Sequence, residues 1–226
     1  MQKNISHNIV VFSAHTDDFV IGAGGTIAKY TQEGKKVTVV VFSLGEKSHP
    51  WLKESVIKDV RAEEALRAGK VLGCEVIYFD LKDQDILKEY REKKIEPKLL
   101  SLLNKIKPEK IITHSSIDSH LSPGMLEGKD DHKAVNKITM EIFSKLKHKP
   151  ELYAFSVWTL ISFKNDFPRI MVDVSNTFST KIKALQEFPS QRFNAIYPLI
   201  ILILYRSIKD GLKIGKLFGE SFIRIK

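Results

Sequence analysis

The chain has 226 residues, of which 43% are hydrophobic and 28% are charged. This composition is typical of one globular domain, and it excludes a disordered, collagen-like or low-complexity chain. The 36 Lys and Arg residues outnumber the 27 Asp and Glu residues, and the resulting net charge of +9 permits an anionic partner without identifying one. A single cysteine excludes an intramolecular disulfide and favours a reducing, cytoplasmic setting.

No membrane-spanning segment is expected. Residues 1–7 are polar and lack the basic-then-apolar order of a signal peptide. The most apolar run, residues 195–205, is interrupted by Pro198 and is shorter than the ~20 residues that a span requires. A buried helix or strand is the favoured interpretation. Peripheral membrane contact stays open because four basic residues follow the run: Arg206, Lys209, Lys213 and Lys216.

Two kinds of apolar pattern alternate along the chain. Short runs rich in β-branched and aromatic residues predict buried strands, and apolar residues at helical spacing predict helices. Strands are predicted at 9–13, 37–42, 76–79, 110–113, 152–157 and 170–174, with helices at 22–33, 55–72, 97–106, 131–146 and 177–188. The alternation is typical of βαβ units, so we predict an α/β fold in which helices cover both faces of a mostly parallel sheet.

The whole chain is interpreted as one domain with a core at about 8–190 and a less regular part at 191–226. In an open parallel sheet, ligands bind beyond the carboxyl ends of the strands. A site is therefore expected among the loops that follow four strand ends, Ser13, Phe42, Phe79 and Thr113.

The loop after the first strand carries three side chains that can bind a metal, His15, Asp17 and Asp18. Glycines follow them, but dinucleotide binding is disfavoured, because the fingerprint needs a small residue where Ile27 stands. Histidine and carboxylate suit a zinc-like divalent ion, with His15 and Asp18 as ligands and Asp17 as general base. The alternative is that the acids only cap the next helix.

A third ligand is expected from the loop after the fourth strand, which offers six candidates: His114, Asp118, His120, Asp130, Asp131 and His132. His132 opens an apparent helix, which would fix its position. The acids beside it are equally interpretable as helix caps, and His114 as a packing residue.

These residues resemble the signature of the PIG-L/LmbE family of zinc-dependent deacetylases, which act on compounds that contain N-acetylglucosamine and have a Rossmann-like fold. The first motif is His-Thr-Asp-Asp at 15–18 with Gly-Gly-Thr-Ile at 24–27. Further segments resemble later parts of the family pattern: 61–64, 78–83, 131–135, 172–174, 183–191 and 219–222. Any one motif is modestly specific, whereas their order and spacing together are strong.

The resemblance implies a role for each matching residue. It implies a zinc site formed by His15, Asp18 and His132, with Asp17 as general base. It also implies substrate contacts by Arg61 and Asp83. For these two, the alternatives are a surface salt bridge of Arg61 to Glu64 or Glu54 and a solvated turn at Asp83.

The sequence departs from the family pattern near the fourth motif. The family commonly has a histidine three residues before the ligand histidine, where Lys129 stands here. His120 precedes an insertion at 121–130, so either the insertion loops out and returns His120 to the site or Lys129 serves as the cationic donor. We favour His120. Phe188 also stands where relatives often have a histidine.

The leading functional hypothesis is zinc-dependent removal of an N-acetyl group from an N-acetylglucosamine-type amino sugar or its conjugate. One alternative is an amidase that acts on another acylated or lipid-linked amino-sugar conjugate. Another is a weakly active or non-catalytic metal-binding relative. A nucleic-acid partner is not expected, because the basic residues are scattered and no recognition motif is present. Homo-oligomers are common among relatives, so self-association stays open.

Overall fold

The structure, a computed structural model, describes residues 7–117, 130–158 and 168–226, apart from the side chain of Asn194. In these ranges the chain forms one seven-stranded sheet. The strands are β1 (Asn8–Ser13), β2 (Lys36–Ser43), β3 (Glu75–Leu81), β4 (Lys110–His114), β5 (Glu151–Phe155), β6 (Arg169–Asp173) and β7 (Gly219–Arg224).

Helices cover both faces of this sheet. They are α1 (Asp18–Gln32), α2 (Glu54–Leu72), α3 (Ile86–Glu92), α4 (Glu96–Ile106), α5 (Asp131–Lys145), α6 (Phe178–Gln186) and α7 (Tyr197–Leu212). Short helical turns occupy Glu46–Ser48, Pro189–Gln191 and Arg192–Ile196.

The strand order is β3-β2-β1-β4-β5-β7-β6. The first five strands are parallel to their neighbours, while β7 runs antiparallel to both β5 and β6. The predicted α/β class and mostly parallel sheet are therefore confirmed. The predicted strands and helices all occur with small shifts of their ends. The sequence pattern missed α3 and β7, and it left open whether the region of α7 is a helix or a strand.

The central strand β1 is buried because its side chains enter two apolar layers in alternation. Ile9 and Val11 belong to the layer beneath α1, α2, α6 and α7, whereas Val10 and Phe12 face the layer beneath α3, α4 and α5. A strand with both faces covered is apolar at every position, which is why 9–12 form an uninterrupted apolar run.

Helix α1 begins at Asp18, four residues earlier than predicted, and the glycines lie in its interior. A Cβ on Gly25 would lie 2.9 Å from Cβ of Val174 and 3.2 Å from Oε1 of Glu220. The small residue therefore permits close packing of α1 against the C-terminal part of the chain, and this packing explains a glycine that superficially suggests a phosphate-binding loop.

The region after Pro189 supplies the last helix and the last strand of the sheet. Residues 195–205 fall mainly within α7, in agreement with the expected buried helix or strand, although part of that helix surface is exposed. Strand β7 then inserts between β5 and β6, where Phe222 joins the first apolar layer. Among the described helices, none is long and apolar enough to cross a membrane.

A buried ion pair fastens this last strand to the helical layer. Nζ of Lys181 lies 2.6 Å from Oε1 of Glu220, and both side chains are almost fully buried. The Glu220 carboxylate also accepts hydrogen bonds from the backbone N–H groups of Gly25 and Thr26, and Lys181 donates to the carbonyl of Ile21. One carboxylate therefore joins β7, α6 and α1.

We predict that Glu220→Ala lowers the free energy of unfolding by about 3–5 kcal/mol, because it leaves the Lys181 charge buried without its partner. Glu96→Ala is the matched control, because its exposed pair with Lys145 has the same N–O distance of 2.6 Å. That control is expected to cost less than about 1 kcal/mol. Urea denaturation of both variants checks this, and equal losses would contradict it.

Candidate metal centre and pocket

The polar side chains of interest meet at the carboxyl edge of the sheet. His15, Asp17 and Asp18 follow β1, Asp83 follows β3, and His132 lies in the first turn of α5, which follows β4 along the chain. Because β1, β3 and β4 are parallel, their carboxyl ends point to the same edge, and residues far apart in sequence become neighbours.

Three side chains form a first group, His15, Asp18 and His132. Oδ2 of Asp18 lies 3.4 Å from Nδ1 of His15 and 3.3 Å from Nε2 of His132. Asp18 also accepts a hydrogen bond from the backbone N–H of His15 at 2.8 Å. One ligand atom from each residue lies within 4.8 Å of the others, so the three can hold one metal ion.

His114 packs against His132 and the loop after β1. Its ring stacks on that of His132 with centroids 4.1 Å apart. Its Nε2 accepts a hydrogen bond from the backbone N–H of Ala14 at 2.9 Å, and its carbonyl accepts one from Asn136. The expected packing role of His114 therefore agrees with its position: it fixes the His132 ring and the start of the loop after β1.

The second ring nitrogen of His15 faces two more carboxylates. Its Nε2 lies 3.2 Å from Oδ1 of Asp83 and 3.2 Å from Oδ2 of Asp131. Asp131 is fixed in turn by the backbone N–H of Gln84 at 2.7 Å, and Asp83 by that of Lys47 at 3.2 Å. A histidine that binds a metal through Nδ1 keeps its Nε2 proton for such a carboxylate, and this hydrogen bond orients the ring.

Asp17 is paired with a buried arginine. Nη2 of Arg61 donates to Oδ1 of Asp17 at 3.0 Å. Nε of the same guanidinium donates to Oγ1 of Thr16, and Nη1 donates to the carbonyl of Gly45. Arg61 is 3% exposed, so the alternative of a surface salt bridge to Glu64 or Glu54 is wrong. Glu64 accepts hydrogen bonds from Ser190 instead.

Gly45 makes room for this arginine. It adopts a left-handed conformation with φ of 71°, and a Cβ placed on it would lie 2.1 Å from Nη1 of Arg61. The turn between β2 and α2 therefore needs a glycine at this position, both for its backbone angle and for the guanidinium.

The buried charges shift one another's pKa values. Burial raises the pKa of Asp17, although the charge of Arg61 opposes this. Burial also disfavours the charged form of Asp18, but the imidazoles of His132, His15 and His114 together outweigh it and hold the pKa of Asp18 well below its usual range. For His15, hydrogen bonds to carboxylates, the strongest to Asp131, overcome burial and raise the pKa well above its usual value.

A cavity of about 210 Å³ opens onto this cluster. Its floor contains the charged residues described above, and its rim adds residues from the turn after β2, from the loop after β5 and from the segment before α7. The residues that these three segments contribute include Lys47, Ser48, Trp158, Gln191 and Ala195. The site is thus an open pocket in which a small molecule can reach the carboxylates.

The structure separates residues that sequence reasoning could not. Asp17 is the residue before α1, yet its side chain makes no capping hydrogen bond, whereas Asp130 does cap α5 by accepting from the N–H of Lys133. Asp131 points into the site instead, a placement the sequence left open. Asp83 is buried, so its alternative as a solvated turn is wrong. His120 and Lys129 lie outside the described residues, and so does the insertion apart from Asp130.

The donor set suits a divalent metal. Two imidazoles and one carboxylate match the three protein ligands of a catalytic zinc site, with one position left for water or substrate. Asp18 and His132 are buried, whereas His15 is partly exposed and lines the pocket together with Asp18.

Comparison with known proteins places the chain in a family. The family model described as PIG-L, GlcNAc-PI de-N-acetylase, matches residues 10–143, more than half of the chain. This range contains every residue of the cluster from His15 to His132.

Two curated relatives have different activities. The chain is 35% identical over 129 residues to 4-oxalmesaconate hydratase of Pseudomonas putida KT2440, covering 53% of this chain and 49% of that protein. It is 22% identical over 200 residues to a probable N-acetyl-alpha-D-glucosaminyl L-malate deacetylase 2 of Bacillus cereus, covering 82% and 83%. In sequence, the match to the hydratase spans only about half of that protein's length.

Among solved structures, 4-carboxy-2-hydroxymuconate hydratase of Pseudomonas putida KT2440 superposes with a TM-score of 0.79 at 23% identity. The superposition covers 97% of this chain and 96% of the other, so the whole fold is shared. The family match over residues 10–143 shows that the chain belongs to the PIG-L family of de-N-acetylases.

Proposed function

We propose that the protein is a metal-dependent hydrolase that removes an N-acetyl group from an N-acetylglucosamine-type amino sugar or its conjugate. One observation carries this proposal: a possible metal site and a possible general base lie side by side. The possible metal ligands are His15, Asp18 and His132, and the possible base is Asp17, which is paired with the buried Arg61. A hydrolase of a stable amide needs both an electrophile site and a base for water.

The metal would be held by His15, Asp18 and His132, and zinc is the proposed ion. When bound, it supplies Lewis acidity and lowers the pKa of water from 15.7 to about 7. Asp83 and Asp131 orient His15 through its Nε2, since both carboxylates lie 3.2 Å from that atom. His114 fixes the His132 ring from the other side.

Asp17 would act as the base. Its carboxylate accepts a proton from the attacking water, and the water oxygen bonds to the acetyl carbonyl carbon. Collapse of the tetrahedral intermediate breaks the C–N bond, Asp17 returns the proton to the leaving amine, and acetate is released. Arg61 holds the Asp17 carboxylate at 3.0 Å, so it is a positioning residue for the base. Arg61 also lines the pocket, and this position supports the proposed contact between Arg61 and the substrate.

His120 is the proposed second donor that stabilises the oxyanion, and Lys129 is the alternative. Such a donor is typically worth about 10²–10³ in rate. Replacement of each by alanine tests them separately, and the larger loss of kcat identifies the donor.

The substrate class is tested with amine release from a panel of N-acetylated amino sugars, using metal-stripped protein and protein reloaded with zinc or another divalent ion. Metal-dependent release from any member supports the proposal. No release from zinc-loaded protein across free, conjugated and lipid-linked members would reject the deacetylase.

A hydratase is the second candidate, and the observation in its favour is the 35% identity to 4-oxalmesaconate hydratase over 129 residues. The same pocket would then add water across a carbon–carbon double bond. Loss of the ultraviolet absorbance of 4-oxalmesaconate, measured beside amine release on the same protein, separates the two reactions.

We predict that Asp17→Asn keeps the metal but lowers kcat by about 10²–10⁴, the usual contribution of a general base. Asp18→Asn should instead lower metal affinity by at least the roughly 10–100-fold that loss of a supporting group costs. Metal content by plasma mass spectrometry and amine release are the two measurements.

Asp130→Asn is the matched control for these two variants, because Asp130 caps α5 next to Asp131 and is not among the residues that line the cavity. It should retain both metal and activity. Full activity in metal-loaded Asp17→Asn would show that another group is the base.

A further prediction concerns the turn that holds Arg61. Gly45→Ala places a Cβ where Nη1 of Arg61 lies, so the guanidinium must move away from Asp17. We expect kcat to fall roughly 10–100-fold, the cost of misplacing a catalytic group, with the metal retained.

Gly34→Ala is the control for backbone strain, because Gly34 has φ of 80° with no atom within 4 Å of the added Cβ. Both variants should lose about 1–2 kcal/mol of stability from the left-handed backbone alone. Only Gly45→Ala should lose activity, and equal kcat values for the two variants would refute a role for the arginine.

A further inference from the structure

The outward face of α7 is apolar along its whole length. Its exposed large side chains lie four, three, one, three and four residues apart, and so form a single stripe along the helix. The α7 stripe consists of Tyr197, Ile201, Leu204, Tyr205, Ile208 and Leu212. Ile201 is 77% exposed and Leu212 is 69% exposed.

The opposite face of α7 already supplies the packing that the fold needs. Leu199, Leu202 and Ile203 are buried in the layer above the sheet. An ordinary surface helix places polar residues on its outer side. A second, exposed apolar stripe therefore serves no purpose in the folded core, and an apolar surface of this extent is typical of an interaction face.

Basic residues outnumber acidic ones along the part of the sequence that contains the α7 stripe. Between residues 192 and 217 the sequence contains five basic residues and one acidic residue, Asp210. That acid is buried, with its Oδ1 3.5 Å from Nζ of Lys213. The basic residues are Arg192, Arg206, Lys209, Lys213 and Lys216. Burial first and then the neighbouring cations, Lys213 foremost, lower the pKa of Lys209, although Asp210 opposes this.

We propose that the α7 stripe docks the protein on the surface of an anionic membrane. Helix α7 has 16 residues and cannot span a bilayer, so it would lie in the plane of the interface. The apolar stripe would enter the boundary between headgroups and acyl chains. The flanking lysines would reach anionic headgroups, whereas the Arg206 guanidinium donates to the carbonyls of Ser156 and Val157. The two tyrosines suit the same depth.

The charge pattern favours this occupant over a second copy of the chain. A symmetric contact of stripe on stripe would bring two surfaces of the same net positive charge together without an exposed acid between residues 192 and 217 to pair with them. An anionic lipid surface supplies the opposite charge, with each basic residue strengthening binding about fivefold.

Docking would also place the pocket near the lipid. Gln191 and Ala195 line the cavity and lie directly before α7 along the chain. The exposed ring of Phe193, between them, lies 5.3 Å from that of Tyr197. The apolar surface therefore continues from the α7 stripe to the rim of the cavity.

Vesicle flotation with the full chain tests the proposal. We expect the protein to float with vesicles of phosphatidylcholine and phosphatidylglycerol at low ionic strength, and to float much less with phosphatidylcholine alone. The double variant Ile201→Glu/Leu204→Glu should reduce binding by about tenfold or more, because it places charges in the stripe. Lys213→Gln/Lys216→Gln should weaken binding to the anionic vesicles and flatten its salt dependence.

Leu66→Glu is the matched control, because Leu66 on α2 is 41% exposed, close to the 45% of Leu204. It should bind as the wild type does, and thermal melts should show that all variants are folded. Wild-type protein that fails to float with anionic vesicles overturns the proposal, as does unchanged binding of the Ile201→Glu/Leu204→Glu variant.

Light scattering after gel filtration gives the competing outcome. A wild-type oligomer that this double variant dissociates, without vesicle binding, would make the α7 stripe an interface between copies. Deacetylation of a water-soluble substrate is measured separately, so failure of the docking proposal and failure of the proposed activity are distinguishable.

Discussion

A carboxylate buried among imidazoles, that of Asp18, is the constraint around which the carboxyl edge of the sheet is arranged. Burial of an anion is costly unless cations or hydrogen-bond donors surround it. Here the backbone N–H of His15 donates to the carboxylate, and ring nitrogens of His15, His114 and His132 lie 3.3–3.4 Å from its Oδ2. The loop after β1 and the first turn of α5 must therefore stay close together. A divalent ion among these donors would relieve the same cost.

Around that centre, each charged group has a partner from another element. His15 faces Asp83 from the loop after β3, and Asp17 faces Arg61 from α2. In these buried surroundings the two neighbouring acids have different pKa values, since the pKa of Asp17 is raised while that of Asp18 is lowered. Two adjacent aspartates are thereby suited to different tasks, one as a ligand and the other as a base that can gain and lose a proton.

Sequence reasoning succeeded where local pattern decides the structure. The apolar run of β1 and the helical spacing of α2 specify those elements, and the residues after a buried parallel strand must lie at the carboxyl edge. It could not decide between Asp130 and Asp131, because adjacent residues point about 100° apart on a helix and the phase is set by packing. Burial of Arg61 depends on the turn at Gly45, and no periodicity reports that. The C-terminal helix was ambiguous because both of its faces are apolar.

The position of β7 has a consequence for how the chain matures. Among the described strands, β6 pairs only with β7, which is made last and enters between β5 and β6. During synthesis the earlier parallel strands can pair as they emerge, but β5 and β6 keep open edges until β7 has been made. Open edges recruit other strands, so the nascent chain is most exposed to mispairing in the interval before β7 emerges.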